Sequence, residues 1–179
     1  MPISTIGQNG LQQSRILTAV QQPAGAVLQV VQATLAGTQA VSGASAWRDV
    51  TSLSVSITPT SSSSKILVSF VVNCDGESNV FFRIVRGATA IGVGNADGSR
   101  QQVSAANGYV PSNAAGTIMM TSQFLDSPAT TSSITYKAQA YSNDSAGSGT
   151  YYINYASGDG NAAYYSRCMS TITVMEIAA

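Results

Sequence analysis

The chain has 179 residues, 44% of them hydrophobic and only 9% charged, and its eight Lys and Arg cancel its eight Asp and Glu. That length suits one domain with a tail, large enough to bury roughly 70% of its unfolded surface. Against a usual charged fraction of about 25%, so neutral a chain has no basic field to hold nucleic acid or an anionic membrane, and no apolar run approaches the length of a membrane span.

Residues 1–25 read as an arm. The opening MPISTI lacks the basic-then-apolar layout of a secretion signal, so the chain is expected to be made and assembled in a cytoplasm. Ile3, Ile6, Leu11, Ile16, Leu17 and Val20 are scattered among glutamines with neither a helical nor a strand period. Residues 11–22 can form a short helix that Pro23 and Gly25 would end. The arm is either a disordered terminus or a segment that orders against a partner subunit. In the second case Ile3, Ile6, Leu11, Ile16 and Leu17 are the expected docking residues.

From Ala26 strand signals come in quick succession. Residues 26–33 form a strand, 37–45 a small-residue loop able to hide a short edge strand, and Trp47 to Val50 lead into the most telling stretch, 53–72. There Leu53, Val55 and Ile57 alternate with Ser54, Ser56 and Thr58 until Pro59, which cannot donate to a ladder. The pattern resumes at Lys65, and the pair reads as a β-hairpin. Its second strand is apolar on both faces apart from Ser69, which predicts a central strand packed on two sides. After an Asp75-Gly76 turn, 79–86 places Val80, Phe82 and Ile84 on one face and Phe81, Arg83 and Val85 on the other.

A shorter run at 88–93 precedes a Gly-, Asn-, Ser- and Ala-rich loop, 94–117. So long a loop is expected to be functional or buried in a subunit contact. Strands follow at 118–125, 132–140, 149–155 and 170–177, with turns at Asp126-Ser-Pro and Asn143-Asp-Ser. Eight to ten strands and no credible core helix define an all-β protein, expected as an antiparallel jelly-roll-like β-sandwich over 26–179 with its N-terminal arm over 1–25.

The sequence argues against catalysis. Histidine is absent, which removes the usual general base and the commonest metal ligand, and neither Lys65 nor Lys137 lies in a Ser-x-x-Lys pattern. Asp75, Glu77 and Asp159 are expected to be solvated turn acids. Residues 92–98, GVGNADG, read as a turn, because their spacing is wrong for a phosphate loop and no helix follows. Asn95, Asp97 and Ser99 offer too few acids for a calcium loop. Cys74 and Cys168 form no metal pattern; they are expected as small buried thiols, with a disulfide as the alternative. No catalytic residue, metal or cofactor is therefore expected. Tyr151, Tyr152, Tyr155, Tyr164 and Tyr165 crowd the segment before the last strand, where they serve either core and subunit packing or carbohydrate stacking against a receptor.

Five stretches in order, AVLQVVQAT at 26–34, VTSLSVSITPTSSSSKILV at 50–68, VRGATAIGVG at 85–94, FLDSP at 124–128 and STITVMEIA at 170–178, resemble the β-rich domain of tailed-phage structural proteins. That domain recurs in tail fibres and head-decoration proteins, notably of phages infecting cyanobacteria and other aquatic bacteria. The resemblance spans about residues 26–179. It implies a homotrimeric jelly-roll knob with no catalytic residues to carry over, located in a virion.

An arm of twenty-five residues without heptads supplies no fibre shaft. The expectation is therefore a capsid decoration, or cement, protein whose arms bind the phage major capsid protein. The alternative is a tail-fibre or tail-tip protein that joins a tail component and binds a host surface glycan. Neither nucleic acid nor membrane is expected as a partner.

Overall fold

Period-two alternation in the sequence becomes an inside and an outside in the structure, a computed structural model that describes residues 22–42, 45–75, 79–106, 116–142 and 150–179. Among these are eleven strands and no helix: β1 (Val27–Leu35), β2 (Gln39–Ser42), β3 (Arg48–Ile57), β4 (Lys65–Asp75), β5 (Val80–Arg86), β6 (Thr89–Ile91), β7 (Ala105–Ala106), β8 (Thr117–Asp126), β9 (Ile134–Ser142), β10 (Thr150–Ile153) and β11 (Ser170–Ile177). In β4 the side chains of Ile66, Val68, Phe70, Val72 and Cys74 are buried, while those between them are half-exposed. Val80, Phe82 and Ile84 on β5, and Leu53, Val55 and Ile57 on β3, turn inward as their spacing predicts. Phe70 and Phe82 meet across the core with ring centroids 6.2 Å apart.

The strands form two antiparallel sheets. In the first, β1, β11, β4 and β8 lie side by side. β10 extends the β11 position along β4 through Ile153 and Cys74, and β2 pairs with β10 as β1 pairs with β11. In the second sheet the order is β3, β9, β5, with β6 and β7 sharing the free side of β5. Counting β2 with β1, β10 with β11, and β6 with β7 leaves eight positions along the chain. The first, eighth, third and sixth then face the second, seventh, fourth and fifth, which is the strand order of a jelly roll.

This topology corrects the hairpin reading. β3 and β4 do not pair: β3 bonds to β9 in one sheet and β4 to β11 and β8 in the other. Residues 58–64 carry the chain over the rim of the sandwich. β4 is central, as expected, but only its inner face meets the core, and Leu67 and Val71 on its outer face are half-exposed. The short edge strand expected in 37–45 is β2. The two-residue β7, inside the long loop, has no sequence signal. Residues 92–98 are irregular chain that bends at Gly92 (φ +60°) and enters a turn at Gly98 (φ +57°), closed by Arg100 N on Asp97 O. The arm residues Ile3, Ile6, Leu11, Ile16 and Leu17, and all but the end of the helix considered at 11–22, lie outside the described residues.

Acids pin the two sheets together. Glu176 points inward from β11 with no solvent exposure. It accepts hydrogen bonds from Gln29 Nε2 (2.6 Å) and from the backbone N and Oγ1 of Thr60 (both 2.7 Å), so it ties β1 and β11 to the β3–β4 crossover. At the β8 end, Asp126 accepts from Arg86 on β5 (2.9 Å) and from the Tyr136 hydroxyl on β9 (2.7 Å), bridging the sheets. Asp75 is buried at 1% exposure and accepts from Tyr152 N. This overturns its reading as a solvated turn acid.

A buried amide, Asn154 at φ +68°, donates to the carbonyls of Leu35 and Gly37 (both 2.7 Å) and accepts from Ser170 Oγ. It thereby closes the kink between β1 and β2. Asn tolerates this left-handed backbone better than most residues.

Burial alone would raise the Glu176 pKa, but hydrogen bonds from Gln29, Ser64 and Thr60 outweigh it and hold the carboxyl below its usual value. A depressed folded pKa stabilises the fold above the unfolded value, about 4.3, and that contribution fades as the pH falls through the folded value. Glu176→Gln is therefore expected to cost about 1–3 kcal/mol at neutral pH, since it removes an ionised acceptor from buried donors. Urea midpoints measured from pH 7 down to pH 2 should show the gap between the two proteins closing toward acid. A gap that stays constant would remove the charge from this account.

Candidate functional site

The tyrosines that the sequence gathers are separated by the fold. Tyr151 points inward from β10 and is 1% exposed, one of the largest fully buried side chains. Of the two roles open to the cluster it takes core packing, because it shares the inward phase of Ile153. Burial pushes its phenol far above the usual value. Tyr152 faces outward on the same strand and meets Tyr155 edge-on, with centroids 5.0 Å apart. Tyr164 and Tyr165 form a second pair, 4.7 Å apart, with Tyr164 70% exposed.

The loop between β10 and β11 holds these rings. Cys168 N donates to Asn154 O (2.9 Å) and so closes the loop on itself, while Asp159 N donates to Ala156 O and Tyr165 N to Ala162 O to make two internal turns. Loops with joined ends that pack on themselves are frequently functional. Arg167 pairs with Asp159 and lies 5.6 Å from the Tyr155 ring centre. Asp159, Gly160, Asn161, Ala162, Tyr165 and Arg167 line an open cavity of about 440 Å³. A Cβ on Gly160 would stand 2.5 Å from the Tyr165 ring, so the glycine is what lets that ring lie across the cavity.

Burial first, and then the neighbouring Tyr152 and Asp159, raise the Tyr155 pKa. The surface is thus phenolic, with one side-chain amide, Asn161, and one compensated ion pair. It suits a neutral hydroxylated ligand better than an anion.

Two outward surfaces carry no signal in the local reading. On the second sheet Arg83 stacks 4.0 Å over Trp47, Trp47 packs on Tyr141 and Phe81 stacks on Tyr141, beside a cavity of about 610 Å³. The Asp49 carboxylate accepts from Lys137 (2.7 Å) and Gln139 (2.8 Å) on that same face. On the first sheet, apolar side chains sit in the outward phase of all four strands: Val30, Met175, Leu67 and Leu125 are register partners in a row. Their outward phase is legible only once the partners of each strand are known.

Among the described residues no cluster of three or more Cys, Asp or Glu could hold a metal. Cys74 and Cys168 are both free thiols, the first buried and the second partly exposed. No protein-family model matches the chain, and no curated protein matches it. Among solved structures it is similar to a chain in the structure of infectious bursal disease virus Gx strain, at 16% identity and a TM-score of 0.40. The similarity covers 84% of this chain and 37% of that one, so this chain spans well under two thirds of the viral protein. The jelly roll is defined by its strand order and not by this likeness.

Two measurements check the site. Burial, and then Asp75, push the Cys74 thiol up to about 12. A thiol reagent at pH 8 should therefore label Cys168 alone in the native protein and both thiols in denaturant; fast native labelling of Cys74 would contradict the core described here. Gly160→Ala should displace the Tyr165 ring and change the near-ultraviolet tyrosine circular dichroism, while stability shifts by no more than about 0.5 kcal/mol as at other surface sites.

Proposed function

We propose that this chain is a structural protein of a tailed-phage virion, most specifically a homotrimeric decoration protein that binds the major capsid lattice and stabilises the head. The observation that carries the reading is how the buried acids are used. Glu176, Asp126 and Asp75 each accept hydrogen bonds from a different strand or crossover. The ionisable groups that a catalyst would hold ready for a substrate are here spent on joining strands, crossover and, through Asp126, the two sheets, and the product is a stiff scaffold rather than a reactive cleft. The resemblance of residues 26–179 to tailed-phage β-domains supports the same reading.

The mechanism is one of contact. Several weak attachments tethered to one trimer act at high effective concentration, so a lattice can be clasped without covalent chemistry. Residues 1–21, with Ile3, Ile6, Leu11, Ile16 and Leu17, supply the attachment, and the sandwich supplies the rigid body. Such a protein belongs to the virion and is assembled in the host cytoplasm.

One observation favours a second reading, a tail-fibre or tail-tip protein that binds a host glycan. Tyr165, paired with the exposed Tyr164, borders a cavity whose charges among the described residues, Asp159 and Arg167, neutralise each other. Aromatic faces with hydroxyl and amide donors are the chemistry of sugar recognition.

Copy number separates the two. Stained-gel stoichiometry of purified particles should give hundreds of copies for a decoration protein; a few dozen or fewer would favour the tail. Deleting residues 1–21 spares the bond from Gly25 N to Ala178 O (2.8 Å), and it should leave a folded knob that no longer joins particles. Retention of the truncated protein on particles would remove the arm from the mechanism.

A further inference from the structure

The two outer faces of the sandwich differ in kind. The face of β3, β9 and β5 carries the Lys137 to Asp49 ion pair and the Arg83 to Gln139 hydrogen bonds. On the face of β1, β11, β4 and β8 the one exposed charge among the described residues is Lys65, at a corner, where it donates to Ser127 (2.8 Å); Asp75, in the same phase at the far end of β4, is buried. Near one end of it, two residues along β4 from Lys65, run Val30 (55% exposed), Met175, Leu67 and Leu125 (52% exposed), one from each strand. Met119, 63% exposed, adds a further apolar group on β8.

The edge beside this face is open as well. β8 pairs with β4 over ten register positions and, among the described residues, with no other strand. It has no proline and no charge before Asp126. Soluble monomers blunt long edge strands with charge, proline or bulges, because an unprotected edge pairs or packs with another chain. β8 has none of these devices.

We infer that the outer face of β1, β11, β4 and β8, together with the β8 edge, is the surface through which copies of this chain pack on one another. Size supports this occupant. Four strands about 4.8 Å apart, with β4 rising about 3.3 Å per residue, present a face of roughly 600–700 Å², close to the roughly 800 Å² that each partner gives to a stable interface. Charge supports it too. With equal numbers of acids and bases, two copies meet without long-range repulsion, and nothing charged is buried in the contact apart from the corner lysine. Beside the apolar row Gln32, Thr173, Ser69 and Gln123 form an uncharged polar row that can hydrogen-bond across such a contact. The inference deepens the assembly reading above and rests on it for the number of copies.

The test is the mass of the purified full chain by light scattering after gel filtration. Wild type should run as a multiple of its 18.4 kDa subunit. Val30→Lys with Leu125→Lys should fall to a single subunit with an unchanged far-ultraviolet spectrum, and Ser56→Lys on the opposite face should keep the wild-type mass. Should the double variant fail to fold, peroxide oxidation of Met119 in wild type decides the matter: it should be at least several-fold slower in the assembled protein than after dilution to single subunits, and equal rates overturn the inference. A wild-type chain that is a single subunit at tens of micromolar, or a folded double variant that keeps the wild-type mass, also overturns it. The virion role stands or falls separately on copy number in particles, which these masses leave untouched.

Discussion

The sandwich depends on one carboxylate placed where a hydrophobic residue would be the default. Glu176 occupies the inward phase of β11, continuing the line of Ile172 and Val174. A buried charge without partners would cost several kcal/mol. Here it is matched by donors from β1 and from the crossover that carries the chain between sheets. Crossovers are the weak point of a jelly roll, since their backbone groups leave one ladder before any other can take them. Glu176 satisfies Thr60 at the rim and fixes the turn from β3 to β4, and with it the facing of the two sheets. Asp126 repeats the device at another rim, using a guanidinium and a phenol in place of a backbone amide.

Because the charges are spent at the rims, the broad faces are free to differ. One face keeps its ion pair and its stacked Trp47, Arg83 and Tyr141. The other is nearly uncharged and carries the apolar row. This division is what a rigid assembling unit needs: stiffness comes from the rim acids and the alternating core, and partner choice from a face that holds nothing costly to desolvate. A jelly roll alone implies no such role, since the fold serves many. The placement of polar groups within this one is what argues for it.

Strand existence was legible in the sequence wherever an inward phase met water on the other side, as in β3, β4, β5 and β11. Strand partners were not. Alternation says which residues share a face and nothing about which strand lies alongside, so 53–57 and 65–72 resembled a hairpin although seven residues carry one to the other sheet. Asp75 and Tyr151 show the same limit. Each sits at a strand end next to a turn, where composition suggests solvent, and each is buried, Asp75 accepting from Tyr152 N and Tyr151 sharing the inward phase of Ile153. Glu176 did leave a signal: in STITVMEI an acid falls in phase with Ile172 and Val174. An acid in the apolar phase of a strand marks a buried polar junction.

The outer face of the first sheet is neither wholly polar nor wholly apolar. A β-strand with both phases apolar is ordinarily a strand covered on both sides, yet β4 is covered on one. The outward residues of β4 alternate, so Leu67 and Val71 flank Ser69. Pairing extends the Leu67 position into the row with Val30, Met175 and Leu125 and the Ser69 position into a polar row, where Gln32 and Thr173 bond to each other at 2.8 Å, whereas Val71 has threonines on either side. The result is one apolar row with a polar row beside it rather than one apolar field. When a second surface arrives in register, apolar meets apolar and amide meets hydroxyl; one strand out of register, the amides are buried without partners. A charged face would obtain specificity at the cost of desolvating ions, and a wholly apolar one would have no register to choose. The near absence of charge is therefore a condition for selective packing rather than a lack of recognition chemistry.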